Sequence, residues 1–283
     1  MSNTIYQSIT DKIIKELETG AAPWVKPWSA DNTADRNIVT GNAYRGINRL
    51  ILGLSGMQYG SSLWASYDQW QSIGGQVRKG EKATQGVFFK PQVVKKGANG
   101  SEDSVYMLLK PFWVFNANQV DGITITKPDA PVKPFNAIEA VDNAIKATGA
   151  NITHGGDMAC YSPTLDMIKM PHRASFDNES SYYATLLHEM THWSGHAKRC
   201  DRKMTGRYGS PDYAFEELVA EIGAAYLCGD FKIAGELRHA GYIESWLKCL
   251  RADNKAIFRA SALAQKAVEL IHSATASNEL IAA

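Results

Sequence analysis

Residues 182–193 read YYATLLHEMTHW, and the segment HEMTH within them, from His188 to His192, decides how the rest of the chain is interpreted. On a helix, two histidines four positions apart project from one face, so both imidazole rings can reach a single metal ion. Glu189, beside the first histidine, is placed to take a proton from a water molecule at that ion. Apolar residues are interleaved with these three, which predicts a buried helix and favours a metal site over two incidental surface histidines.

A third ligand is expected on the apolar helical pattern of residues 213–227, where Glu217 and Glu221 lie one turn apart. In zinc sites of the HExxH-plus-glutamate type, a carboxylate four residues after the ligand orients a ligand histidine. Glu217 is therefore predicted to be the ligand and Glu221 the orienting group, with the reverse assignment as the alternative. Glu216 is predicted to point elsewhere.

The longer pattern HExxHxxGxxH does not fit, because Lys198 stands where a third histidine is required. His196 comes two residues too early, so it is predicted to be a supporting group near the metal or at the end of the helix. The expected cofactor is one divalent metal, with zinc favoured and manganese or another transition metal as the alternative.

The composition is that of a soluble globular protein: 283 residues, 45% hydrophobic and 21% charged, with a net charge of +1. No apolar run approaches the roughly 20 residues of a membrane span. The N-terminal residues do not have the layout of a signal peptide. The four cysteines lack metal-site or disulfide spacing and are expected to be reduced thiols. These features predict a cytoplasmic protein without a membrane partner.

Three prolines within residues 128–134 predict a linker between a domain at 1–127 and a second domain at 135–283. The charge is uneven between these parts. Residues 36–96 hold nine basic and two acidic side chains, a net charge of +7. The first domain is therefore the candidate for binding a polyanion.

Periodicity predicts an α+β fold. In the first domain, helices are expected at 4–19, 47–55 and 66–73, and strands at 87–94 and 105–115. In the second domain, the expected elements are a helix at 136–148, short strands near 151–154, 158–161 and 165–170, the two metal-site helices, and two or three helices ending near 273. The strand at 166–170 is predicted to be the sheet edge that binds an extended peptide.

Basic residues interleaved with aromatic ones predict binding of single-stranded DNA, because cations follow phosphates while flat rings stack on unpaired bases. Phe88, Trp113 and Phe115 on strands, and Trp70 on a helix, are instead predicted to belong to the core. The predicted DNA contacts are Trp24, Lys26, Trp28, Tyr44, Arg45, Asn48, Arg49, Arg78, Lys79 and Lys82.

Several separate motifs resemble one family. The segments at 23–28, 44–48, 62–64, 73–81 and 115–120 resemble the N-terminal domain of ArdC-type antirestriction proteins. The segments at 188–196 and 213–221 resemble the zincin-like metallopeptidase domain that follows it in that family. The resemblance spans about residues 3–250. It implies a plasmid- or phage-borne cytoplasmic protein that binds single-stranded DNA and shields incoming DNA from host restriction during conjugation.

The same resemblance implies a metal site at His188, His192 and Glu217, with Glu189 as the base. One functional hypothesis is a metalloprotease that cleaves a protein on or near single-stranded DNA. The alternative is a DNA-coating protein whose metal domain is structural or regulatory. The candidates for stabilising an oxyanion are Arg207, Tyr208, Tyr213 and His239.

Overall fold

The structure is a computed structural model that describes residues 2–20, 35–56, 58–94, 104–124, 137–204, 206–207, 209–233 and 242–282. Within these ranges helices are mixed with three small sheets, as predicted for an α+β chain. The predicted DNA contacts Trp24, Lys26 and Trp28 lie outside the described residues, as does the predicted linker at 128–134.

The N-terminal helices follow the apolar spacing of the sequence. Helix α1 (Ser2–Glu18) buries Ile9, Ile13 and Leu17, which recur every four residues on one face. The next two helices are α2 (Ile47–Gly56) and α3 (Tyr67–Ser72). Ser66 caps α3 and forms a capping box with Gln69, so the predicted start of this helix is confirmed.

Two long strands dominate the N-terminal sheets. A four-stranded sheet has the order β1-β2-β5-β4, and a two-stranded sheet pairs β3 with β6. The strands are β1 (Arg36–Asn37), β2 (Leu63–Ala65), β3 (Gln76–Val77), β4 (Thr84–Val94), β5 (Ser104–Asn116) and β6 (Val120–Asp121). Trp70 is fully buried, as predicted. The prediction that Phe88 and Trp113 belong to the core is wrong: their exposed fractions are 44% and 55%.

The C-terminal half begins with helix α4 and a three-stranded sheet of order β7-β9-β8. Their bounds are α4 (Ala137–Thr148), β7 (Asn151–His154), β8 (Cys160–Ser162) and β9 (Met167–Met170). The prediction of residues 166–170 as a sheet edge is wrong, because β9 pairs with β7 on one side and with β8 on the other. Strand β8 has β9 as its partner on one side, which makes it an edge of this sheet as described.

Four helices complete the fold: α5 (Glu179–Ser194), α6 (Pro211–Asp230), α7 (Ile243–Ala252) and α8 (Ala256–Ala282). Asn178 caps α5, and Ser210, followed by a proline, caps α6. Helix α8 runs nine residues beyond the predicted end near 273. No helix in the described ranges combines the length and the apolar character needed to cross a membrane.

Helices α5 and α6 approach each other closely at Gly223. A Cβ atom at this position would lie 2.5 Å from the side chain of Thr191 on α5, closer than packed atoms allow. Gly223 lies two residues beyond Glu221 and Thr191 immediately before His192. The contact therefore fixes the separation of the two helices beside the candidate metal ligands.

The two halves of the chain share one hydrophobic core. Ile9, Ile13 and Ile47 from the first half belong to the same buried cluster as Leu218 and Ile257 from the second. Polar contacts add to it. The guanidinium of Arg49 pairs with Asp230 at 2.7 Å, and the hydroxyl of Tyr226 donates to the carbonyl of Gly46 at 2.8 Å. The domain boundaries remain a prediction, but the two parts are packed against each other.

Candidate metal centre

Two histidines of α5 face one glutamate of α6. The Nε2 atom of His188 lies 3.6 Å from Oε2 of Glu217, and the Nε2 atom of His192 lies 3.5 Å from Oε1 of the same carboxylate. One ligand atom from each residue lies within 4.8 Å of the other two, and this is the group of potential metal ligands found among the described residues. Two imidazole nitrogens and one carboxylate oxygen form a donor set that suits a divalent transition metal.

The other nitrogen of each imidazole faces a second carboxylate. Nδ1 of His188 lies 3.6 Å from Oε1 of Glu221, and Nδ1 of His192 lies 3.1 Å from Oε1 of Glu216. An acceptor at Nδ1 favours the tautomer that leaves the Nε2 lone pair for a metal. The arrangement supports Glu217 as ligand and Glu221 as orienting group. The expectation that Glu216 points elsewhere is wrong, since Glu216 faces the second histidine.

Glu216 is itself held by a buried arginine. The guanidinium of Arg202 donates to Oε1 of Glu216 at 2.7 Å and to its Oε2 at 3.0 Å. The same group donates to the hydroxyl of Ser194 and to the carbonyl of Thr191 at the end of α5. The sequence did not single out Arg202, because it lies in irregular chain ten positions after His192 and belongs to no motif.

The electrostatics of the site are dominated by these contacts. Burial lowers the pKa of His192, but hydrogen bonds to Glu216 and Glu217 outweigh this effect and raise that pKa to about 10. Burial raises the pKa of Glu217, yet hydrogen bonds to both histidines hold it well below its usual range. The carboxylates therefore form a negative environment that favours a cation at the site.

The cluster opens into a cleft of about 1100 Å³. Glu189 lines the cleft together with the three candidate ligands, although only 7% of its surface is exposed. The cleft lining also includes Cys160 and Tyr161 of strand β8. A carboxylate, a cluster of potential metal ligands and residues of β8, an edge strand among the described residues, therefore share one cavity.

Tyr213 is the oxyanion candidate that the structure places in the cleft. Its hydroxyl lies 3.1 Å from that of Tyr242, a second cleft residue that the sequence did not indicate. Burial and hydrogen bonds to Tyr242 and Glu217 raise the pKa of Tyr213, so the hydroxyl keeps its proton. Arg207 is exposed and is not among the cleft residues, whereas Tyr208 and His239 lie outside the described residues.

His196 does not join the cluster. It follows the end of α5, and its Nδ1 atom accepts the backbone N–H of Lys198 and lies 3.8 Å from Asp166. Of the two roles predicted for His196, its position fits a group at the end of the helix and does not fit a supporting group near the metal.

Two of the predicted DNA contacts, Arg49 and Asn48, make structural contacts instead. Arg49 is buried between the halves, and its guanidinium is engaged by Asp230 and by the carbonyl of Tyr226, so it is a structural residue. Asn48 donates to the carbonyl of Val87 and accepts the N–H of the same residue, which ties α2 to β4. Neither side chain is available to DNA in this arrangement.

The basic turn after β3 is exposed but partly neutralised. Arg78 pairs with Glu81 at 2.9 Å and with Asp121 at 3.1 Å, and these hydrogen bonds raise its pKa. Lys79 and Lys82 are exposed. The turn is therefore anchored to β6 through Arg78, which leaves its lysines as the cations that face solvent.

Tyr44 and Arg45 lie between β1 and α2. The Tyr44 ring is half-buried and stacks on Phe112. Arg45 is exposed and pairs with Glu269 at 3.1 Å. Both remain accessible to a ligand.

Family models match both halves of the chain. Residues 3–115 match the N-terminal domain of anti-restriction factor ArdC, and residues 139–263 match a zincin-like metallopeptidase. Among solved structures, the antirestriction protein ArdC of plasmid R388 in its metal-free form is 38% identical, with a TM-score of 0.82, over 96% of this chain and 98% of that one. The chain belongs to the ArdC-type antirestriction family.

Two further relatives differ greatly in length. An uncharacterized protein of Sinorhizobium fredii is 39% identical over 95% of this chain and 91% of its own length. The DNA primase TraC of Escherichia coli is 37% identical over 92% of this chain, which spans only 19% of that primase. This family member thus resembles both a protein of similar length and one part of a much longer protein.

A metal-bound form of the ArdC relative is also known. Its Mn(II)-bound structure has a TM-score of 0.79 to this chain at 38% identity. Together with the histidine and glutamate cluster of α5 and α6, this relative indicates a site for a divalent metal.

Proposed function

We propose that this chain is an antirestriction protein that binds single-stranded DNA with its first half and cleaves DNA-associated protein with its second. It thereby protects DNA that enters a cell by conjugation. The observation that carries the proposal is the cluster of His188, His192 and Glu217, with each histidine backed by a carboxylate, in a cleft that also contains Glu189. A site with a merely structural metal has no need of a cleft or of an adjacent base.

His188, His192 and Glu217 would hold the divalent metal. When bound there, such an ion supplies a Lewis acid that makes water more acidic and polarises a carbonyl. Glu216 and Glu221 keep the two imidazole rings oriented. Zinc fits this donor set, and the relative's Mn(II) form supports manganese as the alternative.

Glu189 is the group proposed to move protons. Its carboxylate would take a proton from the attacking water and pass it to the nitrogen of the leaving amine. Tyr213, held by Tyr242, would donate its hydroxyl hydrogen to the oxygen that gains negative charge. Of the two oxyanion candidates within the described residues, Tyr213 lines the cleft and Arg207 does not.

Strand β8 is the edge on which we place the substrate. It lines the cleft and pairs with β9 on its other side, so an extended peptide could add to it by backbone hydrogen bonds. This replaces the strand at 166–170 that the sequence suggested. The scissile bond would then lie across the cleft near Glu189.

Binding of single-stranded DNA is proposed for the first half on its family membership and on its exposed aromatic and basic residues. Because the two halves share a core, DNA on the first half would hold proteins bound to the same strand near the cleft. The resulting high local concentration would direct cleavage toward such proteins.

The test uses purified full-length protein loaded with Zn(II) or Mn(II). Its substrates are a protein crosslinked to a long single strand and the same protein without DNA. We expect cleavage of the crosslinked protein, none of the free protein, and none by Glu189→Gln. Equal cleavage of both substrates would show that DNA does not direct the cleavage. Absence of Glu189-dependent cleavage from every metal and substrate combination would favour DNA coating without proteolysis.

A further inference from the structure

The hairpin of β4 and β5 has two distinct faces. Directly paired residues of antiparallel strands share a face, and side chains alternate along each strand. Val87 and Leu109 lie on the face that contributes to the shared core. The opposite face carries Phe88 with its partner Lys110, and Phe112 with its partner Gly86. We call this the outer hairpin face.

Both faces of the hairpin leave large apolar side chains exposed: Phe88 on the outer hairpin face, and Phe89, Met107 and Trp113 on the other. A strand that alternates between core and solvent normally turns polar residues outward, but Phe88 keeps 44% of its surface exposed. An exposed large aromatic residue on a regular sheet is a common sign of a binding surface. The next residue, Phe89, is exposed to 45% on the other face and provides a matched comparison.

Phe88 is one end of a row of three aromatic rings. The ring centroids of Phe88 and Phe112 are 6.5 Å apart, and those of Phe112 and Tyr44 are 6.2 Å apart with an interplanar angle of 12°. A Cβ atom at Gly86 would lie 2.3 Å from the Phe112 ring. The glycine thus lets that ring lie against the strand. Tyr44 and Phe112 also pack on the core cluster of Leu52, which holds the row in place.

Positive charge accompanies this row. Lys110 is the cross-strand partner of Phe88, and Lys90, two residues further along β4, is on the same face. Both lysines are exposed. The sequences of β4 and β5 contain no aspartate or glutamate, so the strands contribute only positive charge. Arg45, next to Tyr44, is paired with Glu269 and adds no net charge.

We propose that single-stranded DNA lies across the outer hairpin face, with unpaired bases on Phe88, Phe112 and Tyr44 and phosphates near Lys90 and Lys110. Flat rings on the surface of a strand pair suit bases, whereas lysines beside them suit the backbone. Duplex DNA is disfavoured because its base faces are hidden. The inference rests on the proposed DNA binding and names its surface. It places DNA on a pair of strands whose residues Phe88 and Trp113 were expected from the sequence to belong to the core.

The test compares two neighbouring phenylalanines in the full-length protein. Phe88→Ala and Phe89→Ala remove equally exposed rings from opposite faces of one strand. With a fluorescein-labelled oligothymidylate as the probe, anisotropy should show a loss of affinity of about 5- to 150-fold for Phe88→Ala, the equivalent of one stacked base. Phe89→Ala should remain within about twofold of wild type. Thermal melts establish that both variants are folded.

Charge gives a second readout that does not depend on the phenylalanines. Lys110→Ala should reduce the slope of log affinity against log salt by about 0.7, the value for one phosphate contact on a single strand. Lys146→Ala removes an exposed lysine on α4 and should leave that slope unchanged.

The outcomes separate this inference from the proposed function. If wild type binds the probe while Phe88→Ala and Lys110→Ala behave like wild type, DNA binding stands and the outer hairpin face is overturned. A loss confined to Phe89→Ala would overturn it too, by moving the site to the other face. If wild type itself does not bind single strands, the DNA half of the proposed function fails.

Discussion

Replacing Glu216 with alanine should damage both metal binding and stability, for two separable reasons. Glu216 is the acceptor for Nδ1 of His192, at 3.1 Å, and loss of such an orienting group typically weakens metal binding about 10- to 100-fold. Glu216 is also the carboxylate partner of Arg202, whose side chain is only 2% exposed. The substitution would leave that guanidinium buried without an opposite charge.

The stability loss can be estimated from this buried pair. Breaking a buried ion pair by removing one partner costs about 3–5 kcal/mol. Arg202 keeps Ser194 and the carbonyl of Thr191 as acceptors, so the lower end, about 3 kcal/mol, is expected. In a protein of this size that corresponds to a fall in Tm of roughly 6–12 °C. Calorimetry of the metal-free protein measures it, and competition with a chromophoric chelator measures metal affinity.

A double substitution separates the two effects. Glu216→Ala with Arg202→Met removes the unpaired charge and should recover most of the lost stability, because an apolar side chain can fill the space. Metal affinity should stay low, since His192 still lacks its acceptor. The assignment of Glu216 as the group that orients His192 would be refuted by either of two results. One is that metal affinity returns together with stability in the double variant, and the other is that Glu216→Ala binds metal like wild type.

Three further outcomes follow from the same contacts. Arg49→Met should lower the free energy of unfolding by about 3 kcal/mol, the lower end for a broken buried ion pair, because Asp230 loses its guanidinium partner but keeps its contact with His272. DNA affinity per folded molecule should stay at the wild-type value in anisotropy titrations, and a loss of DNA affinity without destabilisation would restore Arg49 as a DNA contact. Glu217→Ala should weaken metal binding more than Glu221→Ala when both are measured by elemental analysis after dialysis, and the reverse order would exchange ligand and orienting group. Glu189→Gln should keep its metal in that analysis and lose cleavage, so retained cleavage would rule out Glu189 as the base.

Much of the metal centre could be predicted from the sequence because its spacing is local. A spacing of four positions from His188 to His192, and again from Glu217 to Glu221, places each pair on a common helix face without knowledge of the tertiary structure. The carboxylate partner of Nδ1 of His192 could not be predicted in this way. Glu216 faces His192 only because Gly223 brings α6 close to α5, and no local pattern specifies the distance between two helices.

The hairpin shows where alternation fails as a guide to burial. Phe88 and Trp113 were assigned to the core because they are large and lie on strands that alternate. Period-two patterning defines two faces but does not say which face a helix covers. Here the shared core covers Val87 and Leu109, and Phe88 lies on the other face. Trp113 is on the same face as Leu109 but is exposed to 55%, so the cover does not extend along the whole strand.

The shared core also bears on how the halves should be studied. Sequence composition suggested two domains joined by a stiff linker, so that a fragment of residues 1–127 would be a natural reagent. In the structure, Ile9, Ile13 and Leu17 of α1 are buried in a cluster that includes residues of α6, α7 and α8. Such a fragment would expose this apolar face, and DNA binding is better measured on the full chain.

The most direct test of the central claim, that the cleft protects DNA by cleaving protein, is transfer of a plasmid by conjugation into a restricting host. Transfer efficiency is compared for plasmids that supply wild-type protein, Glu189→Gln, or no protein. The account predicts that Glu189→Gln gives no more protection than the absence of the protein, at equal expression and with its metal retained. Protection by Glu189→Gln equal to that of wild type would contradict it and leave DNA binding as the active agent.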